Sequence, residues 1–348
     1  MDIVEKVYGE NGIYDKLVTI KSTNFEIKDF YNSVIPLNIY LTWSIKQLPI
    51  KMQENVIRMR IVNPEFNIQI FDCNKRREFI KNHFSEDILI AYDTLKPGAY
   101  KADLWRLCIL YINGGIYIDI KLNCINNFKF IALTEKEHFA IDKPGYWKEE
   151  TIGLLNGLIV AKPKNSLFLR CINKISKNVK NKDYGLNPLY PSGPGLLGEE
   201  YVKMLRENEL TMNIQAELNK LDLCFTNNEQ IIFNNVPILN YYKEYKTEKE
   251  LFGKTLTYHE IYDLKQIYNE IIDNNEIIDN NDSNEIIDNN DSNDSNDSNE
   301  IIDNDDSNEI IDNNDNTSVF NIYNLILFSA IIIIIIIIII LLYYKIKQ

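Results

Sequence analysis

The stretch Lys101-Ala-Asp-Leu-Trp-Arg-Leu-Cys-Ile-Leu-Tyr-Ile-Asn-Gly-Gly-Ile-Tyr-Ile-Asp-Ile-Lys121 decides how the rest of the chain is read. Leu104, Leu107, Cys108, Leu110 and Tyr111 recur at helical spacing, and Asp103 and Arg106, three apart, project from one face. Gly114 and Gly115 end that helix, because glycine takes the left-handed dihedral that a C-terminal cap requires. Ile116, Tyr117 and Ile118 then have the β-branched and aromatic character of a buried strand. Asp119 is thereby predicted to stand where the strand stops, facing a cleft or water.

Upstream, Ile35 to Trp43 reads as a first core strand and Pro49 to Val62 as a helix stopped by Asn63-Pro64. Asn67 to Phe71 alternates like a strand, and a helix from Lys75 to about Phe84 follows. Strands alternating with helices predict an α/β domain with a parallel sheet and helices on its faces. The first 35 residues mix charged and apolar positions and read as an amphipathic lead-in packed on the domain. Downstream, Phe128 to Ile131 and His138 to Ile141 read as short strands. Gly153 to Ala161 reads as a strand with a bend at Asn156-Gly157, where the backbone approaches something closely. A helix over Ser166 to Val179, a rigid loop at Tyr190-Pro-Ser-Gly-Pro-Gly195, a helix from Leu196 to about Asn208 and strands within Ile231 to Leu239 complete the domain. Tyr258 to Tyr262 closes it, and the domain is expected to span residues 1–268.

Ala102-Asp103, Arg106 and Gly114-Gly115-Ile116-Tyr117-Ile118-Asp119 resemble the glycosyltransferase sugar-binding region that carries the Asp-X-Asp motif. Fungal Golgi mannosyltransferases that initiate outer chains and clostridial glucosylating toxins belong to that family. The resemblance implies a GT-A-like, single Rossmann-type nucleotide-sugar-binding domain that moves a sugar from a nucleotide diphosphate to an acceptor hydroxyl, with retention. It further implies that Asp103 and Arg106 hold the ribose and base side, and that Asp119 binds ribose and a divalent metal, manganese or magnesium, at the diphosphate. Thr42-Trp43 resembles the end of the family's first strand, where an indole can stack on a base. Asn156, Gly193 and Pro194 correspond to positions beside the donor sugar. The third motif position is Lys121, not Asp, so the family's direct metal ligand is missing and Lys121 becomes a candidate catalytic cation on the diphosphate. His259 is the candidate second metal ligand beside Asp119, or else a surface histidine.

The formal charge of −13 is unevenly spread. Residues 269–318 hold 17 Asp or Glu and no Lys or Arg, so removing them leaves the remainder at +4 and close to neutral. Nothing there favours a nucleic-acid partner. Five scattered cysteines without Cys-X-X-Cys spacing argue against a zinc site and a disulfide framework. Within 269–318 the hexamer Asn-Glu-Ile-Ile-Asp-Asn recurs among Asn-Asp-Ser triplets, the composition of a solvated, disordered acidic linker.

Residues 319–344 then include ten consecutive isoleucines, Ile331 to Ile340, followed by Tyr343-Tyr344 and a short basic tail at 345–348. That is the length and flank pattern of a transmembrane helix. The expectation is a single-pass, C-terminally anchored membrane protein with its catalytic domain in the cytosol, acting on a glycan, protein or lipid acceptor. Heavy Asn, Ile, Lys and Tyr usage resembles the AT-rich coding of large DNA viruses. The rival expectation is a membrane protein of the same fold that binds sugar or nucleotide without turnover.

Overall fold

Strands that are buried on both faces set this architecture. In β3 (Asn38–Thr42), β5 (Gly115–Ile118) and β8 (Leu154–Ala161), alternate side chains enter two different cores. Ile39, Leu41, Ile116, Ile118, Leu158 and Val160 pack on one face, and Tyr40, Tyr117, Ile159 and Ala161 on the other. The period-two alternation of a strand sorts them, and the absence of polar residues from either set requires cover on both faces. The computed structural model describes residues 3–8, 15–21, 23–142, 152–208, 218, 220–226, 228–250 and 256–270.

Helix α1 (Ile50–Val62) covers the first face through Met52, Val56 and Met59. The second is covered by α2 (Cys73–His83), α3 (Glu86–Thr94), α4 (Gly98–Asn113) and α5 (Ser166–Asn181). Helix α6 (Pro194–Asn208) joins them through Leu196 and Leu197. Helix α4 is buried almost all round, from Gly98 through Leu110, as expected of a helix apolar on every side. Gly114 caps it at φ 62°.

With β4 (Asn67–Phe71), β6 (Leu122–Cys124), β7 (His138–Ile141), β9 (Leu223–Phe225), β10 (Gln230–Phe233) and β11 (Val236–Tyr241), the nine-stranded sheet runs β4-β3-β5-β8-β7-β9-β10-β11-β6. It is mixed, not parallel as the strand-helix alternation suggested. Only β3 with β4, β3 with β5 and β7 with β9 are parallel. The first two of those pairs have helical crossovers, whereas later strands are joined by short turns such as Asn234-Asn235, both at positive φ, which can only make hairpins.

Two other expectations change. Residues Ile3–Tyr8 (β1) and Asp15–Ile20 (β2) pair as an antiparallel two-stranded sheet in place of an amphipathic lead-in. Phe130–Leu133 is a 3-10 turn and not part of a strand, since Asn126 and Asn127 take left-handed conformations and Asn63 Oδ1 captures the Phe130 N–H.

Two short helices, α7 (Tyr245–Glu250) and α8 (Tyr258–Asp263), follow the sheet, and Tyr268 then bridges to Leu95. The chain divides into units Met1–Ser292 and Asn293–Gln348. Among the described residues no helix is long and apolar enough to cross a membrane; the expected linker beyond residue 270, the expected span and the basic tail lie outside them.

Candidate active site

Asp119 and Lys121 stand on a tight turn between β5 and β6, closed by the Leu122 N–H donating to Asp119 O at 2.9 Å. The turn is pinned on both sides. Asn55 of α1 donates to Ile120 O at 3.2 Å and Leu122 O at 2.9 Å, while the Tyr242 N–H donates to Lys121 O at 3.0 Å. The two side chains are thus delivered to one cleft, lined also by Asp103, Asn156, Gly193 and Pro194.

Beneath the cleft lies a buried charged network. The Arg106 guanidinium reaches Asp103 Oδ1 at 3.2 Å and Asp119 Oδ1 at 3.3 Å, and donates to Asn156 O at 2.6 Å. It also lies 4.3 Å from the centre of the Tyr117 ring. Asp103 accepts from Asn156 Nδ2 and Ser192 Oγ, both at 2.9 Å. Burial pushes the Asp103 carboxyl above the usual range, opposed by Arg106 and those two donors. Burial also works against the Arg106 cation, but Tyr117, Asp103 and Asp119 outweigh it and raise its pKa. Tyr117, held protonated by burial, donates to Asp119 Oδ1 at 2.8 Å. Two carboxylates and two cations are buried together, so the isolated cost of each charge is met by a partner. Asn156 Oδ1 is buried and accepts no hydrogen bond, which leaves an acceptor for a ligand hydroxyl or N–H.

Lys121 completes the set. Its ammonium sits 3.8 Å from Asp119 Oδ2, 4.5 Å from the Tyr241 ring centre and 5.9 Å from that of Tyr245. A cation against aromatic faces is stabilised without being neutralised. Gly157 lets β8 pass close by: its N-terminal neighbour Asn156 faces Asp103, its carbonyl accepts from the Asp119 N–H at 2.9 Å, and a Cβ there would lie 2.9 Å from Asp119 Oδ2. The close approach expected at Asn156-Gly157 is to this carboxylate, and the two residues lie where the pairing of β8 with β7 shifts register, between the pairs Leu154–Ile141 and Ile159–Phe139.

The structure brings Asp103, Asp119, Lys121, Asn156, Gly193 and Pro194 into one cleft and sets Arg106 behind it as the organising cation. It does not bring Thr42 and Trp43 there. Thr42 Oγ1 donates to Phe71 O at 2.7 Å, and Trp43 is buried in the core with Ile35 and Met52, because the carboxyl end of β3 is covered by apolar side chains. His259 also does not line the cleft; its neighbour Tyr258 does, with the imidazole centre 4.2 Å from that of the Tyr258 ring, tilted by 33°. Sequence reasoning missed Tyr117, Ser192, Tyr241 and Tyr258. Tyr117 was legible, two residues before Asp119 on the same strand face, and Ser192 lies inside the Pro-Gly loop. Tyr241 and Tyr258 carry no local signal.

The divalent metal implied by the resemblance finds a poor donor set. Asp119 Oδ1 is engaged by Tyr117 and Arg106, its Oδ2 faces an ammonium, and hard divalent cations want several oxygen ligands. Among the described residues no group of three or more His, Cys, Asp or Glu side chains is placed to hold such an ion.

This buried acid-base cleft lies where the chain matches a known family. Residues 49–139 match the model described as glycosyltransferase sugar-binding region containing DXD motif. The match takes in Asp103, Arg106, Asp119 and Lys121. An uncharacterized glycosyltransferase of Acanthamoeba polyphaga mimivirus is 32% identical over 148 residues, covering 39% of this chain and 53% of the relative. Inositol phosphoceramide mannosyltransferase 3 of Schizosaccharomyces pombe is 31% identical over 104 residues, covering 29% of this chain and 28% of the relative. The matches thus span about half the length of the first relative and under a third of the second. A solved structure titled PaToxG Glycosyltransferase aligns at 16% identity and a TM-score of 0.39, covering 54% of this chain and 76% of that one.

Proposed function

We propose that the protein is a glycosyltransferase that moves a hexose from a nucleotide diphosphate sugar to an acceptor hydroxyl, with retention, from a GT-A-like domain. The observation that supports this most is the convergence of Asp119 and Lys121 with the Asp103–Arg106–Asn156 network in one cleft, inside the stretch that matches the sugar-binding family. In this reading the bond from the anomeric carbon to the diphosphate breaks, the acceptor oxygen bonds that carbon, and its proton goes to the departing diphosphate. Negative charge gathers on the leaving group, and a preorganised cation is worth most where charge develops. Lys121, held beside Asp119 and aromatic faces, supplies that cation. Asp119, fixed by Tyr117 and Arg106, holds a donor hydroxyl, and Asn156 Oδ1 accepts from another.

Mannose ranks first among donors, and a membrane lipid among acceptors, because a relative is a mannosyltransferase named for a ceramide acceptor. Residues 319–344 would hold the enzyme at such a membrane, with the 269–318 linker as spacer and the catalytic domain in the cytosol. Incubating the full-length protein in detergent with GDP-mannose or UDP-glucose, with and without chelator, tests this. Nucleotide release that survives chelation is expected. The rival reading, a binding module without turnover, is favoured by the ammonium standing where the motif keeps a carboxylate; donor binding with no hydrolysis and no transfer would establish it.

A further inference from the structure

Glu248 of α7 caps a helix that lies far from it in sequence. Its Oε1 accepts from the Lys51 N–H at 2.6 Å and its Oε2 from the Met52 N–H at 3.0 Å. Those are the second and third N–H groups of α1, and a helix start leaves such donors without intrahelical acceptors. A serine or aspartate at the N-cap ordinarily takes them, but the N-cap here is Pro49, which has no side-chain acceptor. The Glu248 carboxylate, buried, stands in for the missing cap.

The same carboxylate does more than a cap requires. Its Oε2 also accepts from the Tyr242 hydroxyl at 3.0 Å, and the Tyr242 N–H donates to Lys121 O at 3.0 Å. From the other direction, Asn55 lies about one turn along α1 from Lys51 and donates to Ile120 O and Leu122 O. The carbonyls of residues 120, 121 and 122 are therefore all held, two by α1 and one by Tyr242, and Glu248 ties these two holders to each other. The connections close a circuit from Glu248 through α1, the 120–122 turn and Tyr242 back to Glu248. Tyr245, three residues before Glu248 on α7, and Tyr241 set their rings near the Lys121 ammonium.

Resting on the transferase reading above, we propose that Glu248 is a positioning residue for the reaction: by joining α1 to Tyr242 it fixes the turn that aims Lys121 at the cleft. It does not itself line the cleft. Its effect falls on the placement of the cation, and so on the step in which charge develops on the leaving group more than on donor binding.

The test separates positioning from capping. In the full-length protein in detergent, Glu248→Ala is expected to lower Tm and to lower kcat for nucleotide release by about tenfold or more, with KM for the donor changing by less than about threefold. Adding Pro49→Asp to that variant supplies a local cap for the same two N–H groups and should restore Tm without restoring kcat. Tyr242→Phe breaks the circuit on its other side and leaves the cap in place. It is expected to lower kcat by about threefold or more at a Tm close to wild type, and it carries the test by itself if the Glu248 variants do not fold. The reactivity of Lys121 gives a readout without turnover. Brief treatment with acetic anhydride followed by mass spectrometry should label it about threefold or more faster in Tyr242→Phe and in the recapped Glu248→Ala than in wild type. Return of kcat together with Tm on adding Pro49→Asp, or Lys121 labelling and kcat that Tyr242→Phe leaves unchanged, overturns the proposal. Absent nucleotide release by the wild-type protein is instead failure of the transferase reading, and the labelling then decides by itself whether Glu248 holds Lys121 in place.

Discussion

Lys121 Nζ lies 3.8 Å from Asp119 Oδ2, so the charge in the motif's third position faces the very carboxylate that the motif pairs with a second acid elsewhere in the family. The turn between them is fixed by hydrogen bonds to four backbone carbonyls, and the geometry therefore belongs to the fold and not to side-chain chance.

Removing that charge should separate chemistry from binding. Lys121→Ala is expected to lower kcat by about a hundredfold or more, the usual range for one preorganised donor, with KM for the donor changed much less. Lys121→Asp should create a tighter requirement for manganese than the wild-type protein has. Steady-state kinetics in the presence and absence of chelator check both; a wild-type enzyme silenced by chelator and indifferent to Lys121→Ala would overturn the role.

Gly157→Ala places a methyl group 2.9 Å from Asp119 Oδ2, and the carboxylate must shift. Because Asp119 is already held by Tyr117 and Arg106, the shift strains a packed site at about 1 to 3 kcal/mol. A tenfold or greater loss of kcat/KM is expected with a modest fall in Tm, measured by kinetics and thermal unfolding on the same sample.

Asp103→Ala should damage folding before it damages binding. Arg106 would lose a buried carboxylate partner, and Asn156 and Ser192 would lose their acceptor. Breaking a buried pair from one side costs about 3 to 5 kcal/mol. Denaturant unfolding should show that loss, with Asp103→Asn much milder because it keeps the shape and an acceptor oxygen.

The pH dependence of stability should carry a signature of His259. Burial lowers its pKa below the ordinary 6.5, against the opposing pull of Asp263 and Glu260. A depressed histidine is neutral in the folded state, so its contribution is fully present above about pH 6.5 and is lost as pH falls through the folded value. Melting midpoints measured from neutral pH downward should fall less steeply in His259→Asn than in wild type.

What the amino-acid sequence determined by itself was local. The helix, glycine cap, strand and terminal carboxylate from Lys101 to Asp119 follow from spacing, propensity and glycine's freedom at positive φ, and each needs only neighbouring residues. The same reasoning placed β4, β8, α5 and the close approach at Gly157.

Tertiary structure decided everything that depends on partners far along the chain. Trp43 carries the same local signal whether it meets a base or the core, and in the fold it is buried in the cluster that also holds Ile35 and Met52. Sheet direction turned on connection lengths, which made hairpins of the later strands. Lys121 was a candidate cation from its place in the motif, but its surroundings were not legible there, since a lysine after a strand is ordinarily solvated. Only the return of β11 and α7, more than a hundred residues later, buries it between Tyr241 and Tyr245, where low exposure strengthens its field at the cleft.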